Sequence, residues 1–260
     1  MEELIISAEH EEKNYWRDLW SYRELLYFLA WRDILVRYKQ TTVGVAWAFI
    51  RPIINIVIIT FIFQKVAKVP TNGIPPFLFV GVGTLLWQLF ANGFSDAGSS
   101  LLASANLISK IYFPRLLVPA STLAVGFVDF GISLSIIGAM MVWYQFIPDV
   151  RILAAPLFIL LALTASLGAG LWIAALTVQY RDFRFIAPVI VQTGFFLSPL
   201  GYSSDRFSGL WRLLYSINPM VGAIDGFRWA LFRGAVHLFW PGLIISICTS
   251  LLLLITAIFY

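Results

Sequence analysis

The sequence predicts an all-α integral membrane protein. It is expected to have six transmembrane helices per subunit, an N-terminal amphipathic interfacial helix, and a re-entrant helical hairpin before the last span. Three observations carry this expectation. The 260 residues are 60% hydrophobic and only 12% charged, whereas soluble domains average about 25% charged. The apolar residues fall in long blocks, and a bilayer core takes ~20 mostly apolar residues per helical span. The blocks are too rich in Gly, Pro and unbroken apolar runs for barrel strands, and in lipid only helices or closed barrels satisfy the backbone.

Residues 1–44 form a first, N-terminal segment. Residues 1–13 hold five Glu and one Lys, and the first apolar block lies beyond residue 40, so no cleavable signal peptide is expected. Ser21 and Glu24 have the spacing of a capping box, which places a helix start at Tyr22. On a helical wheel Tyr27, Trp31, Ile34, Leu35 and Tyr38 share one side, and Arg32, Asp33, Arg37 and Lys39 occupy the other. Such a helix lies in the headgroup plane, its basic groups near anionic lipid and its rings in the interface. It serves as a lipid anchor or also as a docking surface for a cytoplasmic partner. Its charges are too mixed in sign for a simple lipid-binding polybasic patch.

Residues 45–260 form the transmembrane domain, with spans expected at 45–63, 76–94, 116–144, 154–178, 185–200 and 239–260. Six spans put both termini on one face. That face collects ten Lys and Arg against seven on the other, which assigns both termini to the cytoplasm. Its connections are 95–115 and 179–184. Within the first, "SANLISKIYFPR" reads as a short helix halted by Pro114. Leu107, Ile108, Ile111 and Tyr112 would form its apolar face, packed on the bundle or offered to a partner.

On the opposite face, residues 201–238 are neither a span nor an ordinary loop. Two short amphipathic pieces, "LWRLLYSI" and "AIDGFRWALF", flank a tight turn at Asn218, Pro219 and Met220. They read as a re-entrant hairpin, a pore or gate element, or else as a pair of helices lying on the surface. Inside the spans the notable charges are Arg51 and Asp129. Intramembrane ionisable groups are functional hypotheses. Arg51 sits close enough to a membrane face to snorkel, and Pro52 beside it suggests a kink facing a cavity. Asp129 lacks a second carboxylate or histidine to relay protons, which favours a role in helix packing. Cys248, the single cysteine, is expected to be a small buried hydrophobe.

Catalytic and metal-binding constellations are missing from the sequence: there is no phosphate-cradling loop, no HExxH and no paired intramembrane carboxylates. The chain is therefore expected to carry no catalytic or metal site and no cofactor of its own. If it transports, energy comes from a separate ATPase or from a gradient.

Five stretches in order resemble one family, the ABC export permeases for polysaccharides and polyol phosphates, and within it the O-antigen export permeases. They are "YRELLYFLAWRDILVRYKQTTVGVAWAFIRP" (22–52), "SKIYFPRLLVP" (109–119), "VDFGIS" (128–133), "QYRDFRFIAPVIVQTGFFLSPLGY" (179–202) and "YSINPMVGAIDGFRWALF" (215–232). The resemblance implies a homodimer in a bacterial inner membrane, joined by two copies of a nucleotide-binding ATPase subunit that holds ATP and Mg. It implies a coupling helix at 106–113, with ATPase contacts from Asn106, Leu107, Ile108, Lys110, Ile111, Tyr112 and Phe113, and a second contact at Arg181, Asp182 and Arg184. It also implies external gate helices marked by Trp211, Asn218, Pro219 and Met220. Arg51 falls where the family is often apolar.

The expected cargo is a lipid-linked polysaccharide, O-antigen first, with teichoic acid or capsule behind it. Sugar rings stack on aromatic faces, and a sliding polymer needs many weak contacts. Trp47, Arg51, Gln192, Phe195 and Phe196 are the expected channel lining, although aromatic residues also populate interfacial belts. A small-lipid or drug exporter of the same superfamily, or a bare membrane anchor for an ATPase, are the alternatives. Nucleic acid is not an expected partner.

Overall fold

The computed structural model describes residues 17–39, 44–71 and 73–260, and all that follows concerns these. The described residues form helices and connections, without a strand. They are α1 (Arg23–Lys39), α2 (Gly44–Thr60), α3 (Pro76–Ala103), α4 (Ala105–Ile108), α5 (Leu117–Trp143), α6 (Ala155–Gln179), α7 (Phe183–Phe196), α8 (Leu210–Tyr215), α9 (Pro219–Leu231) and α10 (Trp240–Phe259). Five stretches are long and apolar enough to cross a membrane: Ala46–Val66, Pro76–Ala103, Leu117–Trp143, Val150–Gln179 and Trp240–Phe259. The chain is a multi-pass helical membrane protein.

α3 is the central helix, with α2, α5, α6, α7 and α9 packed around it. It is buried along most of its length, from Leu78 to Ser100. Residues 95–103, expected to be loop, continue this helix because small side chains let it pack tightly. A Cβ on Gly98 would come within 2.9 Å of Ile173 on α6, and one on Gly170 within 2.7 Å of Ala97. Ser166 Oγ adds a hydrogen bond of 3.2 Å to the Phe90 carbonyl. Without a hydrophobic drive between helices in lipid, such close backbone approach is what holds a bundle together.

The contacts fix helix directions. α3 and α6 are parallel, since Phe90 meets Ser166 and Gly98 meets Ile173. α6 and α10 are parallel too: Gly168 meets Leu254, Trp172 Nε1 donates to Thr256 at 3.0 Å, and Gln179 accepts from Tyr260 at 2.8 Å. α7 runs the other way along α3. Its start shares a cavity with Leu102 and Ala103, Gly194 abuts Trp87, and Leu200 beyond its end abuts Gly83. The helix has only 14 residues, shorter than the 185–200 span expected at its C-terminal end.

α6 and α10 meet most closely at Gly168, where a Cβ would lie 2.6 Å from the Leu254 backbone nitrogen. Backbone cannot move aside as a side chain can, so Gly168→Ala is expected to cost about 1–3 kcal/mol of stability through overpacking. Gly131→Ala on α5, with nothing within 4 Å, is expected to cost none of this. Thermal unfolding of both variants in detergent checks the contrast.

Several expectations are corrected here. The capping box at Ser21 is not made: the chain is already helical at Arg17, and Ser21 Oγ donates back to the Arg17 carbonyl at 3.0 Å. The side of α1 that packs on the bundle is not the expected apolar one. Tyr27, Phe28 and Trp31 point outward, with Tyr27 and Trp31 stacked at 6.4 Å, whereas Leu29 is buried against Phe113, Leu117 and Val118. Cys248 is exposed, because it shares the outward side of α10 with Ile244, Leu251 and Leu252.

Candidate functional site

Two constructions stand out: a polar cavity beneath α1, and the buried segment between α7 and α10. The cavity is about 340 Å³ and is lined by Arg37 and Tyr38 of α1, by Trp47, Ala48, Arg51, Pro52 and Asn55 of α2, by Gln88 and Asn92 of α3, and by Asp129 and Ser133 of α5. α1 is fastened over it by charge. Arg37 reaches Asp96 on α3 at 3.3 Å and Asp129 on α5 at 3.2 Å. The Tyr38 hydroxyl donates to Asp129. Burial, and then the Asp129 carboxylate, raise the Tyr38 hydroxyl above the ordinary tyrosine range, so it stays protonated and able to donate.

Asp129 thus joins α1 to α5, but it is not isolated as the sequence suggested, because Asp96 shares Arg37 with it. Its partners come from α1, which periodicity had assigned to the interface. Arg32 and Asp33 pair with each other at 2.8 Å. Lys39 closes α1, and its side chain lies outside the described residues.

Trp47 and Arg51, expected on a channel, both line the cavity, the guanidinium lying 5.9 Å from the Trp47 ring. Gln192, Phe195 and Phe196 do not join them. Phe195 turns inward to Trp87 at 6.4 Å, while Gln192 and Phe196 are exposed. The expected lining is therefore divided between two sides of α3. On the α7 side lies an apolar cavity of about 650 Å³, bounded by Trp87, Phe90, Ile190, Leu197 and Leu214 among others. Asn55, Gln88 and Asn92 escaped the sequence reading, because single amides inside apolar spans carry no spacing signal.

The segment before α10 is built around α9. Asn218 caps it: Oδ1 accepts from the Met220 amide at 3.0 Å, and Pro219 takes the first helical position, where a missing N–H costs nothing. The Asn218 amide ties the turn back to Ser198 Oγ at 3.0 Å. Met220 is fully buried, whereas Trp211 on α8 is exposed. The two pieces of the expected hairpin are therefore unequal.

Arg228 was not singled out by sequence. It is fully buried on α9 and hydrogen-bonds the carbonyls of Phe79 (3.0 Å), Tyr202 (3.1 Å) and Leu200 (2.5 Å). Its guanidinium lies 3.7 Å from the Phe79 ring. Gly83 makes room, since a Cβ there would fall 2.7 Å from Arg228 Nη2. Asp225 is buried on the same helix; burial raises its carboxyl above the ordinary range, and the Arg228 charge opposes that rise. An acid and a base three positions apart in an apolar helix were the available signal.

At the other end, the 106–113 helix is shorter than expected. α4 stops at Ile108, Ser109 to Ile111 turn, and Phe113 is drawn into the cluster around Leu29. Pro114 holds the preceding residue away from helical geometry. Leu107 and Ile108 pack inward on that cluster; Asn106, Lys110, Ile111 and Tyr112 are exposed. Arg181 and Asp182, between α6 and α7, and Arg184, in the first turn of α7, are exposed, with Arg184 beside a cavity lined by Ser99, Leu102 and Pro188.

The chain is 27% identical over 214 residues to the O-antigen export system permease protein RfbA of Myxococcus xanthus, covering 82% of each chain. It is 24% identical over 231 residues to a Klebsiella pneumoniae protein of the same name, covering 86% of this chain and 88% of the relative. A second Klebsiella pneumoniae protein of that name is 26% identical over 216 residues, covering 82% of each. Residues 24–232 match the ABC-2 type transporter family across α1 to the end of α9, and the chain belongs to that family.

Proposed function

We propose that the chain is the permease subunit of an ABC exporter that moves a lipid-linked polysaccharide, O-antigen first, across the bacterial inner membrane. Two copies form the channel, and two copies of a separate nucleotide-binding subunit supply ATP hydrolysis with ATP and Mg. The observation that carries this is the match along more than four fifths of the chain to proteins named O-antigen export permeases.

The geometry supports six crossings, and the excess of Lys and Arg on the face that carries both ends supports cytoplasmic termini. Because α6 and α10 are parallel, the segment between them returns across the membrane. α7 and its extension to Leu200 cover the depth that α3 covers from Leu102 to Gly83, about 30 Å at ~1.5 Å per residue. The buried α9 then reads as the re-entrant arm of the external gate. The outward Tyr27, Phe28 and Trp31 suit the headgroup plane.

Deleting the gene in its own bacterium tests this reading. Lipid-linked polysaccharide is expected to accumulate inside while surface polysaccharide disappears. Unchanged surface polysaccharide would overturn it.

A further inference from the structure

Asp225 is buried in the middle of α9, with 5% of its surface exposed. Its Oδ1 has no hydrogen-bond partner among the described residues, and the Ser204 hydroxyl bonds the carboxyl. Arg228 lies one turn along, but its N–H groups point to the carbonyls of Phe79, Leu200 and Tyr202 rather than to the acid. Arg212 on α8 pairs with Asp205 and lies over the Phe239 ring at 4.3 Å. Tyr202 and Tyr215, also nearby, share a hydrogen bond of 2.8 Å; burial pushes both hydroxyls up, so they stay neutral. The other elements packed on α9 bring little charge. α6 and α10 hold no Asp, Glu, Lys, Arg or His, and the one charge on α3, Asp96, is held at its far end by Arg37. Arg151, in the 150–154 turn, lies over the Trp229 ring.

We propose that Asp225 is a proton-binding site that sets how firmly α9 is seated. With a proton bound, α9 is locked into the bundle; without it, α9 opens toward water more readily. An ionised carboxylate buried with one oxygen unpaired carries a desolvation cost that hydration relieves, and hydration needs α9 to move out. A neutral carboxyl escapes that cost, and the Ser204 hydroxyl can turn to accept from it as readily as it donates to the charged form. Burial accordingly dominates, pushing the carboxyl up from the ordinary 3.8 to about 6 against the opposing Arg228 charge. The seated form therefore holds its proton more tightly than an opened one. Its contribution to stability is whole below the ordinary carboxylate range and is lost as pH rises through about 6. That α9 belongs to an external gate, which acidity outside the membrane would then hold shut, rests on the exporter reading; the proton site does not.

The test uses the full chain in phosphatidylcholine nanodiscs, without ATPase or glycan. Hydrogen exchange of the 219–231 amides is followed between about pH 5 and about pH 8 and corrected for the intrinsic effect of pH on exchange. Wild-type α9 is expected to open about ten-fold more at the alkaline end. Asp225→Asn keeps the shape and removes the titration, so its opening should be the same at both ends. Ser204→Ala takes a hydrogen bond from the charged form, so its transition should move to higher pH. A pH dependence shared by wild type and Asp225→Asn would overturn the proposal. A flat wild-type profile would overturn it too, as expected if an internal water joins Oδ1 to Arg212 Nε, which is likewise buried without a partner among the described residues, and keeps the carboxylate ionised throughout. If Asp225→Asn does not fold, Ser204→Ala decides: a shifted transition supports the proposal and an unshifted one overturns it. No export is measured, so failure here leaves the exporter reading untouched, and unchanged surface polysaccharide on gene deletion leaves the proton site untouched.

Discussion

Arg228→Met is expected to be the most destabilising single substitution in the chain. Its guanidinium is the common partner of carbonyls from Phe79, Leu200 and Tyr202, and thereby joins α9 to the start of α3 and to the chain beyond α7. Met fills a similar volume but donates nothing, so those carbonyls lose a charged donor and Asp225 loses its nearby cation. Removing one member of a buried charged set typically costs about 3–5 kcal/mol. Lys should not restore stability, because one ammonium cannot reproduce the planar fork over the Phe79 ring. Pairing Arg228→Met with Asp225→Asn should recover part of the loss, since the carboxylate left uncompensated is then gone. Thermal unfolding in detergent checks all three, and an unchanged midpoint in Arg228→Met would remove Arg228 as the anchor of α9.

The second large effect is expected at Ile111. It is 56% exposed on the turn after α4, so Ile111→Asp should leave the fold and its unfolding midpoint unchanged. If this turn docks a nucleotide-binding subunit, the same substitution buries an unpaired carboxylate in the complex. The cost is several kcal/mol, enough to abolish co-purification of the ATPase. Ile108→Asp is the informative contrast. Ile108 packs inward toward Leu29 and Phe113, and its replacement should lower stability and association together. Normal co-purification with Ile111→Asp would move the docking surface elsewhere, with Arg181, Asp182 and Arg184 the next candidates.

Much of the helical frame could be read in advance, because lipid forces apolar blocks of nearly fixed length. The expected 116–144, 154–178 and 239–260 differ from α5, α6 and α10 by a residue or so at each end. Where the frame departs, side-chain partners decide it. The end of α3 was missed because "SDAGSSLLA" is small and polar, yet those small residues let α6 approach, and Asp96 holds Arg37. α2 ends in a π-helical turn, Phe61–Val66, which sets Phe63 against Gly201 and Tyr202, and no periodicity announces such a turn. Trp47 and Arg51 were legible as a pair because they lie one helical turn apart. Their union with Gln88, Asn92 and Asp129 was not, since it depends on how three helices are registered rather than on any one of them. For Arg228 the spacing to Asp225 was a legible sign, but its partners were not, since they are backbone carbonyls of distant segments.

The central claim is that this chain, with an ATPase, carries a lipid-linked polysaccharide across a membrane. The most direct measurement reconstitutes it with its companion nucleotide-binding subunit in proteoliposomes loaded with lipid-linked O-polysaccharide, and follows arrival of the glycan on the opposite face with an impermeant lectin. Arrival is expected only with ATP and Mg, and it should cease when the companion's nucleotide site is inactivated while the complex stays assembled. Glycan that crosses equally without ATP, or an assembled complex that hydrolyses ATP and moves no glycan, would contradict it.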